Sequence, residues 1–153
     1  MNKTNSMRLI FDSLPENESF ARVAIAAFMV QLNPTLEAVT DVKTAVSEAV
    51  TNAVVHAYRG SAAGSVRVDA KIDHDEQSIV VEISDEGVGI SDIDQAMEPF
   101  FTTLPELERS GMGFSVMKRF MDELSVTSAP GKGTTIRMKK GVRIENGELR
   151  MEN

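Results

Sequence analysis

The chain has 153 residues and no cysteine. This absence excludes a disulfide framework and any metal site with thiolate ligands, and it is typical of proteins of a reducing compartment. No segment approaches the roughly 18 consecutive apolar residues that a membrane-spanning helix needs. The first fourteen residues hold no long apolar stretch that would indicate a signal peptide. We therefore expect a cytoplasmic protein that does not bind membranes.

An excess of positive charge is also missing, since the net charge is -7. Such a surface repels the phosphate backbone of nucleic acids, so a basic protein surface is the more natural partner, and the alternative interpretation is that the charge serves solubility alone. Repeats, low-complexity segments and linkers are absent from the sequence as well. The length suits one domain over residues 1–153, with a core at about 7–140 and a C-terminal extension at 141–153.

Several common motifs of nucleotide and metal sites do not occur. Gly131-Lys132 is followed by Gly133, so there is no P-loop, and there is no G-x-G-x-x-G after a strand. The H-R-D and D-F-G elements of ordinary protein kinases are missing. Two histidines far apart in the sequence do not predict a zinc site.

The first half of the chain predicts one strand and two helices. The strand covers 8–11, and a capping box at 13–16 begins a helix that ends near Leu32. The predicted apolar face of this helix is Phe20, Val23, Ala24, Ala27, Phe28 and Leu32. A second helix over 37–58 carries a buried stripe of Val42, Ala45, Val46, Ala49, Ala53, Val54 and Ala57. Its opposite face carries Ser47, Glu48, Thr51 and Asn52.

The second half is rich in strands. Two antiparallel strands are predicted at 66–72 and 79–83, with a turn at 73–76 between them. Residues 91–113 are interpreted as a lid with a short helix at 92–97. A third helix at 114–123, two strands at 124–128 and 134–140, and a small hairpin within 142–151 complete the list. This order predicts an α+β fold, a two-layer sandwich with helices on one face of a mixed, mostly antiparallel sheet.

The run Asp85-Glu-Gly87-Val-Gly89 follows the most apolar strand. A carboxylate at the end of a buried strand offers fixed hydrogen-bond acceptors. Glycines allow backbone to approach a ligand where a Cβ would collide. The run therefore favours a small-molecule pocket.

Glu48 and Asn52 are four residues apart on the second helix and are therefore neighbours on one face. Mg²⁺ bound with a nucleotide needs one or two oxygen ligands from the protein, and the amide oxygen of Asn52 would suffice. Glu48 would orient or deprotonate an attacking hydroxyl or water. The alternative interpretation is a solvated helix face.

Two glycine-rich segments complete the pattern. Gly111-Met112-Gly113 precedes the third helix, where free N–H groups form an anion site, although a hinge would use the same residues. Arg109 is the only basic residue between 91 and 113. The segment 131–135 suits a tight turn, and the hydroxyl of Thr135 would reach Asp85 directly or through water.

Taken in chain order, these four sequence motifs resemble the Bergerat nucleotide-binding fold shared by DNA gyrase B, one class of heat-shock chaperones, sensor histidine kinases and MutL. The segments 17–22, 47–53, 99–103 and 105–113 resemble more narrowly the bacterial anti-sigma factor serine kinases, above all their sporulation members. Leu104 departs from that family, in which a lysine is often found at this place.

The resemblance implies roles for individual residues. Asp85 would bind the adenine amino group of ATP, Asn52 would bind Mg²⁺, and Glu48 would be the general base. Glu18 and Arg22 would contact partner proteins. The other implied nucleotide-binding residues are Gly87, Gly89, Thr103, Arg109, Ser110, Gly111, Met112, Gly113 and Thr135.

The resemblance also implies partners. The protein would be a homodimer that holds a sporulation sigma factor, sigma F, inactive when ATP is bound, and it would phosphorylate a serine of an anti-anti-sigma factor. Alternatives are a kinase of the stress-response sigma B type and a nucleotide-switched binding module without transfer. Further alternatives are a free-standing histidine-kinase catalytic domain and an ATPase that directs water at the phosphate.

Overall fold

The computed structural model describes residues 3–58, 64–98 and 113–142. The strands are β1 (Thr4–Asp12), β2 (Ser65–Asp73), β3 (Ser78–Asp85), β4 (Glu123–Ser128) and β5 (Thr134–Gly141). The helices are α1 (Glu16–Met29), α2 (Leu36–Asn52), α3 (Ile93–Ala96) and α4 (Gly113–Phe120). A 3₁₀ turn, Val30–Leu32, follows α1, and a π-helical turn, Ala53–Ala57, follows α2. The predicted hairpin within 142–151 and most of the predicted lid lie outside the described residues.

The sheet has five strands in the order β1-β2-β3-β5-β4. Each neighbouring pair of these strands is antiparallel, so the described sheet is not mixed. The register sets Ile83 opposite Ile136 and Asp85 opposite Thr134. Because side chains alternate along a strand, these four residues share one face of the sheet. The predicted α+β class is confirmed.

The core lies between one face of the sheet and the helices. Every second residue of β2 is buried, from Val66 to Ile72. The predicted stripe of α2 is confirmed, and each of its seven members is at most 7% exposed. Small alanines let α2 lie close to both the sheet and α4. This close contact holds the polar face of α2 beside the start of α4.

The predicted apolar face of α1 is correct for Leu32, which is buried, and for Phe28, which packs against the core, but it is wrong for Phe20 and Val23. The buried residues are Ala21, Ile25 and Met29, followed by Leu32 of the 3₁₀ turn. Phe20 and Val23 are 54% and 58% exposed. The segment 20–30 is apolar around almost its whole circumference, so helical spacing fits several faces equally well.

The start of α1 also differs from the prediction. The helix is preceded by Pro15 without a side-chain cap, and the hydroxyl of Ser13 is buried without a hydrogen-bond partner among the described residues. The predicted capping box is therefore wrong. The third helix ends earlier than predicted, at Phe120, because β4 begins at Glu123. Among the described residues, no helix is long and apolar enough to cross a membrane.

Candidate functional site

Asp85 ends β3 at the edge of the core, and its Oδ1 atom is held from two sides. The backbone N–H of Gly87 donates to Oδ1 at 2.9 Å, and that of Thr134 donates at 3.2 Å. Both donors reach Oδ1, so Oδ2 is the oxygen at which a ligand donor would bind. Burial raises the pKa of Asp85, and the two backbone hydrogen bonds partly oppose that rise.

The loop after Asp85 is anchored along its length. The hydroxyl of Tyr58 accepts from the N–H of Glu86 at 2.7 Å. The carbonyl of Ala57 accepts from the N–H of Val88 at 3.0 Å. A Cβ at Gly87 would collide with that same carbonyl. Gly87 is therefore needed for contact with the segment after α2, and not only for ligand approach.

Gly89 has a similar packing reason. Its φ is +76°, and a Cβ would collide with the carbonyl of Ala129 in the β4–β5 turn. The N–H of Ile90 donates to the hydroxyl of Ser128 at 2.8 Å. The loop is thus hydrogen-bonded to the segment after α2 on one side and to the end of β4 on the other.

Thr134, and not Thr135, lies beside Asp85. Because Thr135 pairs with Ser84, it lies on the opposite face of the sheet, and its hydroxyl is 3.2 Å from that of Ser84. Thr134 pairs with Asp85, gives it a backbone hydrogen bond, and is 7% exposed. The predicted contact of the Thr135 hydroxyl with Asp85 is therefore wrong, and Thr134 contacts Asp85 through its backbone N–H instead.

At the other end of the site, Glu48 and Asn52 converge on the first residue of α4. A Cβ built on Gly113 would be 3.3 Å from Oε1 of Glu48 and 3.2 Å from Oδ1 of Asn52. A larger residue would occupy the space in front of both oxygens. The N-terminus of α4, whose first backbone N–H groups have no acceptor within the helix, therefore lies next to the two side chains.

The donor set at this end fits a magnesium–nucleotide complex. The buried Nδ2 of Asn52 has no hydrogen-bond partner among the described residues, which is an unmet capacity that a ligand would satisfy. No cluster of three or more His, Cys, Asp or Glu side chains in residues 3–58, 64–98 and 113–142 would hold a metal alone. Mg²⁺ commonly takes few protein ligands and completes its shell with phosphate oxygens and water.

Glu18 and Arg22 lie on α1, next to α2. Oε2 of Glu18 accepts a hydrogen bond from the hydroxyl of Ser47 at 2.7 Å and forms an ion pair with Arg22 at 3.5 Å. Ser47 directly precedes Glu48. The implied partner-contact residues are thus joined to the helix that carries the candidate base.

The structure brings together Glu48, Asn52 and Gly113 at one end and Asp85, Gly87 and Gly89 at the other. Thr103, Arg109, Ser110, Gly111 and Met112 lie outside the described residues and stay predictions. Sequence reasoning missed Tyr58, Ser128 and Thr134. The sequence Gly133-Thr134-Thr135 suggested a threonine near Asp85, but it does not indicate which of the two threonines lies on the same face of the sheet as Asp85.

Residues 11–140 match the histidine kinase-like ATPase domain family. The anti-sigma F factor of Clostridium beijerinckii is 54% identical over 140 residues, which are 92% of this chain and 96% of that protein. The anti-sigma F factor of Bacillus subtilis strain 168 is 50% identical over 136 residues, which are 89% of this chain and 92% of that protein.

The fold also resembles a solved structure. The crystal structure of the RsbU and RsbW domains of a Mycobacterium tuberculosis protein matches with a TM-score of 0.63 at 16% identity. The match covers 90% of this chain and 32% of the other. At this identity the likeness concerns the fold alone.

Proposed function

The chain belongs to the histidine kinase-like ATPase domain family and, within it, to the family of the anti-sigma F factors, and on this premise we propose that it is an ATP-dependent protein serine kinase that also captures a sigma factor. Its phosphoacceptor is a serine of an anti-anti-sigma protein. The sigma factor is sigma F, as in the names of the relatives.

One observation carries the proposal. Oε1 of Glu48 and Oδ1 of Asn52 both lie close to the position of a Cβ on Gly113, at 3.3 Å and 3.2 Å, where α4 begins. A base, an oxygen ligand and a set of backbone donors are the groups that phosphoryl transfer requires. Asp85, at the other end of the site, supplies the acceptor for an adenine amino group.

Each group has a role in the proposed reaction. When bound, ATP would supply the γ-phosphoryl group and leave as ADP, and Mg²⁺ would neutralise the charge on the phosphate oxygens. Glu48 accepts the proton of the incoming serine hydroxyl. Asn52 offers an oxygen for the metal, and the first N–H groups of α4 face the phosphates. Asp85 binds the adenine amino group through Oδ2, so that the triphosphate extends toward Glu48.

Partner binding is assigned to α1. Glu18 holds Arg22 and is itself held by Ser47, so the guanidinium is ordered before a partner arrives. An acidic side chain of the sigma factor or of the anti-anti-sigma factor would pair with Arg22. The contact to Ser47 gives the nucleotide end of α2 a direct connection to this surface.

Homodimer formation is also proposed through α1. Phe20, Val23, Ala27 and Val30 follow helical spacing on its outward face, and the three larger ones are 54%, 58% and 62% exposed. Such a stripe is typical of a protein–protein interface. Replacement of Val23 by Glu should shift the protein from dimer to monomer in sedimentation velocity, and an unchanged dimer would contradict this assignment.

The proposal is tested with purified protein, Mg-ATP labelled in the γ-phosphate, and a small anti-anti-sigma protein. The expected product is acid-stable phosphate on a serine of the partner. Acid-labile phosphate would indicate a histidine kinase, and free phosphate a water-directed ATPase. Sigma capture with tightly held ATP and no transfer would indicate a switched binding module.

A further inference from the structure

Ser128, the last residue of β4, joins two segments that hold Asp85. Its Oγ accepts from the N–H of Ile90 at 2.8 Å and donates to the carbonyl of Gly133 at 2.8 Å. The hydroxyl of Thr134 is also 2.8 Å away. A serine hydroxyl has one hydrogen and two acceptor positions. Since the hydrogen goes to Gly133, Thr134 is the donor in the third bond, and the capacity of Oγ is fully used.

The two segments act on the same carboxylate. Ile90 ends the loop whose Gly87 N–H donates to Oδ1 of Asp85. Gly133 precedes Thr134, whose N–H is the second donor to that atom. A Cβ at Gly133 would collide with the carbonyl of Asp85, so the turn and the end of β3 are in direct contact. Ser128 therefore ties together the two backbones that orient the carboxylate.

We propose that Ser128 is a positioning residue that orients Asp85 toward the adenine amino group and thereby sets the selectivity of the site for adenine. This inference rests on the proposed function, because it requires that Asp85 recognise the base. Ser128 itself does not touch the nucleotide. It acts by fixing the direction in which Oδ2 is presented.

Replacement of Ser128 need not unfold the loop. The bonds from Glu86 to Tyr58, from Val88 to Ala57 and from Gly131 to the carbonyl of Val88 are independent of it. The Ser128→Ala variant should keep these anchors, including the one from the turn to Val88, and lose only the hydroxyl bonds to Ile90, Gly133 and Thr134. The direction of Oδ2 would then be less strictly fixed, while Glu48 and Asn52 are unaffected.

Calorimetric titration with ATP and with inosine triphosphate tests this role. Inosine triphosphate carries an oxygen in place of the amino group. Ser128→Ala should weaken ATP binding about tenfold and inosine triphosphate binding much less. The ratio of the two affinities should therefore fall, while the transfer rate at saturating ATP stays unchanged. Ser125→Ala, the same replacement at an exposed position of β4, should leave the ratio unchanged.

Two further variants separate positioning from loss of fold. Ser128→Thr keeps a hydroxyl and should keep the affinity ratio, whereas Thr134→Val removes one partner hydroxyl and should lower it. These two decide the matter if Ser128→Ala does not fold. An unchanged ratio in Ser128→Ala or Thr134→Val would overturn the inference. If the wild type itself bound both nucleotides equally, the assignment of Asp85 in the proposed function would fail first.

Discussion

The two ends of the site are built differently. Around Asp85, the loop and the turn are fixed by hydrogen bonds that the protein makes with itself. At the start of α4, the described residues leave the buried Nδ2 of Asn52 without a partner. The backbone around Asp85 is fixed before any ligand binds, whereas the other end keeps a buried N–H donor without a partner among the described residues.

This difference separates recognition from chemistry. A preorganised pocket for the adenine ring loses little conformational freedom when the ligand binds, so its contacts increase the affinity and the selectivity. In the proposed function, the nucleotide and its metal would complete the phosphate end, and the contacts there would control transfer. Substitutions at the two ends should therefore have distinct effects, and the following variants test that separation.

The largest effect is expected for Glu48→Gln. Without a base, serine phosphorylation should fall by roughly 10²–10⁴-fold, while ATP binding persists because the amide keeps the shape of the side chain. Kinase assays and calorimetry on one preparation measure both. Glu37→Gln, an exposed change on the same helix, is the control. Full transfer by Glu48→Gln would remove Glu48 from the role of base.

Asn52→Ala should reduce Mg-ATP affinity by at least the roughly 10–100-fold that loss of an outer-shell metal partner costs. Sigma capture should weaken with it, because we propose that capture requires bound ATP. Asn52→Asp keeps an oxygen and should retain more metal-dependent affinity than the alanine variant. Undiminished sigma capture by an ATP-free Asn52→Ala protein would break the proposed coupling.

Asp85→Asn tests the adenine end. The N–H groups of Gly87 and Thr134 can still donate to the amide oxygen, but the charged acceptor for the adenine amino group is lost. ATP affinity should fall by about 1–3 kcal/mol, with little change in the transfer rate at saturation. Glu86→Gln, the neighbouring exposed acid, serves as the control. Unaltered adenine affinity in Asp85→Asn would refute the role of the carboxylate.

Asp85→Asn should weaken ATP binding, but it should make the ligand-free protein more stable. Since burial raises the pKa of Asp85 above its usual 3.8, the folded protein holds this proton more tightly than the unfolded chain does. The protonated Asp85 therefore contributes fully to the stability of the folded protein below pH 3.8, and this contribution is lost as the pH rises through the folded-state pKa. Asp85→Asn should be more stable than the wild type at neutral pH.

The difference in free energy of unfolding between Asp85→Asn and the wild type should become smaller as the pH falls through the raised pKa of Asp85. Urea unfolding of both ligand-free proteins across that range measures it, and the comparison cancels the titration of other carboxylates. A wild type that is the more stable protein at neutral pH would contradict the sign of the shift. A gap that does not change with pH would show that Asp85 does not titrate in this range.

The smallest effect is expected for Ser47→Ala, which frees Glu18 from α2. Sigma capture should weaken by no more than about tenfold, because one hydrogen bond at a half-buried position is lost. ATP affinity should not change. Ser19→Ala, which removes the weaker 3.3 Å contact to Arg22, should do less. A loss of ATP affinity in Ser47→Ala would place Ser47 in the nucleotide site instead.

The parts of the fold that sequence predicted well are those where one interpretation alone satisfies the chemistry. On α2, an alanine-rich stripe opposite polar side chains leaves a single face to bury. On α1, nearly all faces are apolar, so the tertiary contacts with α2 decide which residues are inside. The capping serine failed because the helix begins at Glu16 after Pro15 instead.

The candidate site shows the same limit on a smaller scale. The residues Asp85, Glu48, Asn52 and Gly113 were identified from residue type and spacing. Thr134 and Thr135 are chemically identical, and a shift of one residue exchanges the faces of a strand. Only the pairing of β5 with β3 decides between them. The roles of Tyr58 and Ser128 likewise depend on contacts between segments far apart in the sequence.

The binding of ATP through its adenine amino group is tested by calorimetric titration of the wild-type protein with ATP and with GTP, each in the presence of Mg²⁺. We expect saturable binding of one ATP per chain and much weaker binding of GTP, which has an oxygen where adenine has its amino group. No heat with ATP, or equal affinity for the two nucleotides, would contradict it.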